Sequence, residues 1–344
     1  MRQQSAGHQP PCQGLNAPMA QALRLYAFLG MLLSAVWCPL AVAQQRDFIA
    51  WLQDVRAEAM RLGVRPQTLD SALTGLQPVP RVIELDRKQP DDTLTYAQYL
   101  DRILPASRVQ KGLRLLQEHR GRLQEIGTKY GVSPGMIVAL WGIETDFGRA
   151  TGNFPVLASL ATLAYDGRRS AFFRGELFNA LRIVDAGHIR PEAMTGSWAG
   201  AMGQNQFMPS SFLQYAVDHD GDGRKDIWST LVDVFASTAN YLASSGWRGR
   251  EPWGHRVALP ADFDVARQKE AGEQTLAAWQ ALGIRRLDGQ AFPADITSAT
   301  LVLPGGATSY AFLVYANYQV LLKWNRSNYF ALTVGQFADK LGGP

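Results

Sequence analysis

The run from Ser133 to Gly148, SPGMIVALWGIETDFG, constrains this chain more than any other feature. Ser133 suits an N-cap, Pro134 the first helical position and Gly148 a stop, so the run predicts a helix. Ile137, Leu140 and Trp141 precede Glu144 by seven, four and three residues, which puts all four on one helical face. A fold that accepts this helix must cover a face on which a carboxyl lies among hydrophobic side chains. Such a carboxyl is desolvated and keeps its proton to higher pH, the property of a general acid. The competing reading is a helix-end carboxylate that reaches solvent or pairs with Arg149. Asp146 points away from Glu144 and does not form an acid and base pair with it.

With 344 residues the chain has length for one large domain or two to three smaller ones, and for a sizeable core. Its 47% hydrophobic and 19% charged residues exclude a disordered chain. The formal net charge is +4. No basic stripe is interleaved with stacking aromatics, so nucleic acid is not an expected partner. Residues 1–43 contain no Asp or Glu, and Arg24 is followed by an apolar run, Leu25 to Val42, that ends in Ala41-Val42-Ala43. That pattern predicts a secretory signal over 1–43 with an A-x-A cleavage site, with Met19 as a second candidate start. A retained membrane anchor is the competing reading. The two cysteines, Cys12 and Cys38, both lie in this segment, so the exported chain is expected to have no disulfide and to rely on its core. Trp37, just before Cys38, argues against lipid attachment there.

Apolar residues at three- and four-residue spacing predict helices over Phe48–Leu62, Pro66–Leu73 and Ala106–Tyr130, punctuated at Gln77–Pro80 and Gln89–Asp92. Ser211–Val217 and Val232–Ser245 also read as helical. Composition changes after Gly246-Trp247. A helical piece, Glu273–Leu282, is followed by two alternating runs, Thr300–Pro304 and Ser309–Tyr315, around Gly305-Gly306. They predict a small β-containing subdomain before Asn317–Lys323 and Phe330–Leu341 return to helix. The expected class is mainly α, α+β.

Three further segments carry chemistry. In GSWAGAMGQNQFMP, Gly196 to Pro209, three glycines permit close approach of a ligand, and Ser197 and Gln206 suit hydrogen bonds to a sugar. An ordinary irregular connection is the competing reading. In DHDGDGRKD, oxygen ligands at Asp218, Asp220 and Asp222, glycine at the sixth position, the Arg224 carbonyl at the seventh and Asp226 at the ninth match the start of an EF-hand loop. Ser229 stands where a bidentate Glu is usual, and Asp233 is the candidate to close the site. So many carboxylates favour Ca²⁺ over Mg²⁺. The competing reading is an acidic turn without an ion. Finally, Trp324 to Phe330, WNRSNYF, sets aromatic faces beside amides, and Arg168-Arg169 could meet a ligand carboxylate. Core packing and solvated surface are their ordinary roles.

Taken together these pieces resemble the lytic murein transglycosylase B family. The likeness runs from Ala139–Arg149 through Phe154–Asp166, the glycine stretch and the Asp loop to Ala239–Leu242, and resumes at Lys323–Phe330. The resemblance implies a lysozyme-like helical core over 131–250 with its EF-hand-like loop at 218–233. It also implies an N-terminal helical domain over 44–130, a small β subdomain over 251–315 and a return to the core over 316–344. It implies Glu144 as the catalytic residue, and Ser197, Gln206, Asn325, Tyr165, Arg168, Arg169, Trp324 and Tyr329 at the glycan cleft. Gln204-Asn205 departs from the smaller residues of the family pattern, and Trp324 stands where Tyr can occur. The implied reaction is non-hydrolytic cleavage of peptidoglycan between N-acetylmuramic acid and N-acetylglucosamine, leaving 1,6-anhydro ends. Glu144 would be acid and then base, with structural Ca²⁺ and no organic cofactor. A hydrolytic muramidase using Asp166, or a non-catalytic wall-binding protein, are the alternatives. The expected partners are peptidoglycan glycan strands, with cell-wall synthesis or remodelling proteins in addition. The expected state is a monomer, soluble in the periplasm of a Gram-negative bacterium after signal cleavage.

Overall fold

The computed structural model describes residues 47–88, 94–249, 251–265, 272–306 and 310–343. The expected signal over 1–43, with Cys12 and Cys38, lies outside them. The chain divides into two compact units, Met1–Ala57 and Glu58–Pro344. A first helix, α1, covers residues 47–61, and within it Phe48 and Trp51 stack with ring centroids 5.6 Å apart. Among the described residues no helix is long and apolar enough to cross a membrane.

The second unit is mainly helical. It begins with α2 (Pro66–Leu73), α3 (Pro80–Arg87), α4 (Tyr96–Ile103), α5 (Ala106–Glu118) and α6 (Arg120–Tyr130). The single helix expected over Ala106–Tyr130 is thus two, because His119 leaves helical geometry at φ −101° and ψ 15°. Helix α7 (Pro134–Thr145) follows, and the expected cap is present: Ser133 Oγ accepts from the Met136 N–H at 3.3 Å. Nine of its twelve residues are buried, and α5, α6, α11 (Leu231–Ser244) and α14 (Asn328–Lys340) all pack on it. The helix is therefore apolar on every side, and the face shared by Glu144, Ile137, Leu140 and Trp141 is not a distinct stripe.

The helix stops earlier than Gly148. Asp146, Phe147 and Gly148 have φ of 50°, 60° and 80°, so two ordinary residues precede the glycine in the left-handed region. Each costs about 1–2 kcal/mol there. The Asp146 carboxylate is held by Arg149 at 2.5 Å, Lys111 at 3.6 Å and Arg108 at 3.7 Å. The Phe147 ring is buried against Trp141 and Phe337, with centroids 5.4 and 6.4 Å away. These contacts offset the strain and end the helix one residue after Glu144.

Helices α8 (Val156–Asp166) and α9 (Ser170–Asp185) pack along one another, and α10 (Pro209–Tyr215) packs on α9 and α11. A minimal antiparallel sheet sets β1 (Phe154–Pro155) beside β2 (Thr195–Gly196), with Phe154 opposite Gly196, and so pins the glycine stretch to the start of α8. The expected β-containing region is a five-stranded antiparallel sheet. Its order is β4 (Glu273–Thr275), β6 (Ser298–Val302), β7 (Ala311–Val314), β3 (Gly254–Ala258) and β5 (Arg285–Arg286). The two runs read from sequence are β6 and β7. Of the other three, β4 and β5 have only three and two residues, and β3 opens with Gly-His-Arg, so none shows a run of strand-favouring residues. The helix expected from Glu273 starts later, as α12 (Leu276–Ala281), because Glu273–Thr275 pair with β6. Val257, Leu276, Trp279, Ile284 and Leu313 form this region's own core. Helices α13 (Ala316–Trp324) and α14 then carry the chain back onto α7.

Candidate active site

Glu144 lies in the last turn of α7 and is only partly exposed. Its Oε1 accepts a hydrogen bond from Trp324 Nε1 at 2.7 Å. Burial pushes its carboxyl up to about 7, and the Trp324 bond, which favours the charged form, limits the rise. The negative end of the helix dipole lies at this terminus and acts in the same direction as burial. Arg149 pairs with Asp146 rather than with Glu144.

Trp324 stands at the end of α13 in a cluster of three rings, its centroid 5.3 Å from Phe207 and 4.6 Å from Tyr241, which are themselves 5.7 Å apart. Tyr241 Oη donates to the Lys323 carbonyl and Lys323 Nζ donates to the Ser245 carbonyl, both at 2.7 Å. The Trp324 indole N–H is directed at the acid. Asn325 is exposed, and its Oδ1 accepts from the Ser327 N–H at 3.0 Å. Tyr329 packs its ring against Tyr96 and Tyr99, at 5.1 and 5.5 Å.

The glycine stretch is built for internal contacts. A Cβ at Gly196 would sit 2.1 Å from the Ala201 carbonyl, at Gly200 2.5 Å from Leu160 and at Gly203 2.7 Å from Ile227. At these three positions the close neighbour that requires glycine is the protein's own chain. Ser197 Oγ accepts from the Ala201 N–H at 3.0 Å. Gln206, at φ 52°, donates from Nε2 to the carbonyls of Thr151 and Gly203 at 3.0 and 2.9 Å. Phe207 joins the stretch to Trp324. Gln204 is a residue whose role sequence reasoning missed. It is 8% exposed; its Oε1 accepts from Trp141 Nε1 at 2.7 Å and its Nε2 donates to the Trp228 carbonyl at 2.9 Å. Asn205 Nδ2 donates to the Val234 carbonyl and to Thr238 Oγ1, at 2.8 and 2.7 Å.

Arg168 and Arg169 already have a carboxylate. Arg168 Nη1 donates to the Asp86 carbonyl at 2.8 Å and lies 3.4 Å from its Oδ2, and Arg169 Nη2 bonds Oδ1. Asp86 is 1% exposed and sits in α3, where no sequence motif marks it. Its neighbour Arg87 pairs with Asp166 at 2.9 Å. Tyr165 is partly buried in the last turn of α8.

In the acidic loop, carboxylate oxygens of Asp218, Asp220 and Asp222 all lie within 4.8 Å of one another. Asp218 also accepts from the N–H groups of Gly221 and Gly223 at 2.7 and 2.9 Å, which folds the loop around it. This donor set fits a hard divalent cation. Asp226 and Asp233 are used differently. Asp226 accepts from the N–H groups of Trp228 and Ser229, both at 2.9 Å, and caps the turn into α11. Asp233 is fully buried and accepts from the N–H groups of His219 and Asp226 at 2.7 and 2.8 Å. Burial raises its carboxyl, and the charges of Asp220 and Asp218 add to the rise. The Arg224 side chain reaches Asp222 at 3.2 Å, leaving its carbonyl as its ligand atom.

The chain is similar to known proteins. The chain is 33% identical over 246 residues to membrane-bound lytic murein transglycosylase B of Escherichia coli strain K12, an alignment covering 71% of this chain and 66% of that protein's length. It is 43% identical to SltB3 of Pseudomonas aeruginosa, crystallised with NAG-anhNAM-pentapeptide, at a TM-score of 0.82 over 86% of this chain and 80% of that one. Escherichia coli lytic transglycosylase SLT35 in complex with calcium is 28% identical, at a TM-score of 0.72 over 84% and 92%. The mainly helical fold with small sheets is the lysozyme-like fold of these enzymes. The model of the transglycosylase SLT domain matches residues 47–339, nearly all that the structure describes, and the chain belongs to that family.

Proposed function

We propose that this chain is a peptidoglycan lytic transglycosylase that cleaves the β-1,4 bond between N-acetylmuramic acid and N-acetylglucosamine, with Glu144 as its single acid and base. One observation carries the reading: a carboxyl raised to about 7, while the two other candidate carboxylates among the described residues are engaged in ion pairs. Asp146 is held by Arg149 and Asp166 by Arg87. Glycosidases with two carboxylates divide the work between them. With one, the substrate supplies the rest. Glu144 gives its proton to the leaving glycosidic oxygen as the bond to the anomeric carbon breaks. The 2-acetamido oxygen of the muramyl sugar stabilises the developing cation. The Glu144 carboxylate then takes the proton of that sugar's 6-hydroxyl, whose oxygen closes on the anomeric carbon. Acid and base are restored, and no water is consumed. Intramolecular attack outruns water through proximity.

Ser197, Gln206, Asn325 and Tyr165 are assigned to the glycan cleft, with Ser197 on the acetamido group. The relatives crystallised with NAG-NAM and NAG-anhNAM pentapeptides support the substrate class. Digestion of purified sacculi and mass spectrometry of the fragments test the reaction. The expected product ends in 1,6-anhydromuramic acid; a reducing end, one water heavier, would falsify the proposal and favour a hydrolytic muramidase.

Asp218, Asp220 and Asp222, with the Arg224 carbonyl, are assigned to Ca²⁺, consistent with the calcium complex of SLT35. The ion there holds carboxylates together. Chelation is therefore expected to lower the melting temperature, by about 2–3 kcal/mol of stability for a site previously saturated near a hundredfold. Calorimetry before and after chelation checks this. Loss of activity with an unchanged melting temperature would contradict a structural ion. Export to the periplasm belongs to the same proposal.

A further inference from the structure

We infer that Trp324 is a positioning residue, whose indole N–H occupies Glu144 Oε1 and leaves both proton transfers to Oε2. The inference rests on the proposed role of Glu144. An indole N–H donates and cannot accept. The carbonyl oxygen of a neutral carboxyl is its better acceptor, so the oxygen 2.7 Å from Trp324 Nε1 is the carbonyl one and the hydroxyl is on Oε2. Once Glu144 has protonated the leaving oxygen, Trp324 still holds Oε1. The oxygen that lost the proton is then the one left to take the next. Leaving oxygen and attacking hydroxyl are thus served in turn from one atom, without rotation of the carboxyl group.

The indole is fixed well enough to do this. Its ring packs against Phe207 and Tyr241, which also pack on each other, and the residue before it is tied by the Tyr241 and Lys323 hydrogen bonds. Charged groups on the elements around α7 face elsewhere. Arg108 and Lys111 of α5 face Asp146, as does Arg149. Glu125 of α6 faces His219, Asp233 of α11 faces the acidic loop, and Asp339 of α14 accepts from Trp253. Burial, this one donor and the helix terminus set the acid's balance point.

Trp324→Phe keeps an aromatic ring and removes the N–H; Trp324→Tyr restores a donor. On soluble glycan strands, Trp324→Phe is expected to lower kcat about tenfold with KM within twofold. It should also move the alkaline limb of the pH profile up by about one unit, because the bond it removes favours the charged form. Trp324→Tyr should recover most of both. A several-fold rise in KM with kcat and the pH profile unchanged would overturn the inference and make Trp324 a stacking platform. A second measurement needs no change at Trp324. The indole N–H resonance of Trp324 should titrate near pH 7 in the parent protein and stop titrating in Glu144→Gln; a resonance flat from pH 5 to 9 in the parent would overturn the inference. If Glu144→Gln stays active, or the products carry reducing ends, the transglycosylase reading fails while the titration stands on its own.

Discussion

Glu144→Gln is expected to fold, to lose activity by at least about a thousandfold, and to be more stable than the parent in alkaline solution. The loss follows from removing the group to which the proposal gives both proton transfers. The gain follows from linkage. The folded carboxyl titrates at about 7, above its ordinary 4.5, so the folded state keeps a proton that the unfolded state has released. The parent's stability therefore falls as pH rises from about 4.5 through 7 and levels off above, by at most about 3 kcal/mol. Glutamine carries no charge, and its amide oxygen still accepts from Trp324. The stability difference should be small at pH 4 and grow to about 1–3 kcal/mol at pH 8. Urea unfolding across that range checks it, and a difference that does not grow with pH would show that the acid is not desolvated.

Gln204→Ala is expected to destabilise the protein by about 2–4 kcal/mol and to lower kcat more than it raises KM. The substitution leaves the Trp141 indole N–H and the Trp228 carbonyl without their partner, and it opens a cavity where a side chain was 8% exposed. The main-chain bonds of residue 204, from its N–H to the Ile227 carbonyl and to its carbonyl from Thr145 Oγ1, remain at 2.8 and 3.0 Å. Trp141 lies one turn before Glu144, and Trp228 follows the acidic loop. Loss of the bridge should therefore loosen the helix that carries Glu144 without unfolding the chain. Thermal melts and steady-state rates on glycan strands check both halves; a variant as stable and as fast as the parent would remove Gln204 from the site's support.

Local signals in the sequence were enough for the catalytic helix and for the acidic loop. Ser133 and Pro134 mark a helix start through contacts within one turn, and alternate aspartates with Gly223 mark a loop that folds on itself. What could not be read was pairing across distance. Arg168 and Arg169 look like ligands for an external carboxylate because their own, Asp86, comes from a helix about eighty residues earlier. Trp324 looks like a sugar platform because nothing near it reveals that its N–H meets an acid 180 residues away. Gln204-Asn205 looks like a departure from pattern, yet both side chains tie the glycine stretch to neighbouring elements. Gly148 looks like the helix stop because glycine is the residue that reaches positive φ without strain. Asp146 and Phe147 reach it first, held by cations and rings that local spacing does not report.

The distance between Glu144 and Trp324 also bears on when the acid acquires its character. A chain emerging from the ribosome makes α7 long before α13, whose Trp324 bonds the carboxyl, and α14, which packs on α7. Until they dock, Glu144 is an ordinary solvated acid, ionised at neutral pH and unable to protonate a glycosidic oxygen. Nascent and unfolded forms therefore lack the reactive group even though they carry the residue, and a truncation before α13 would be inert for the same reason. The proposed activity depends on a later-made part of the fold closing over an earlier one.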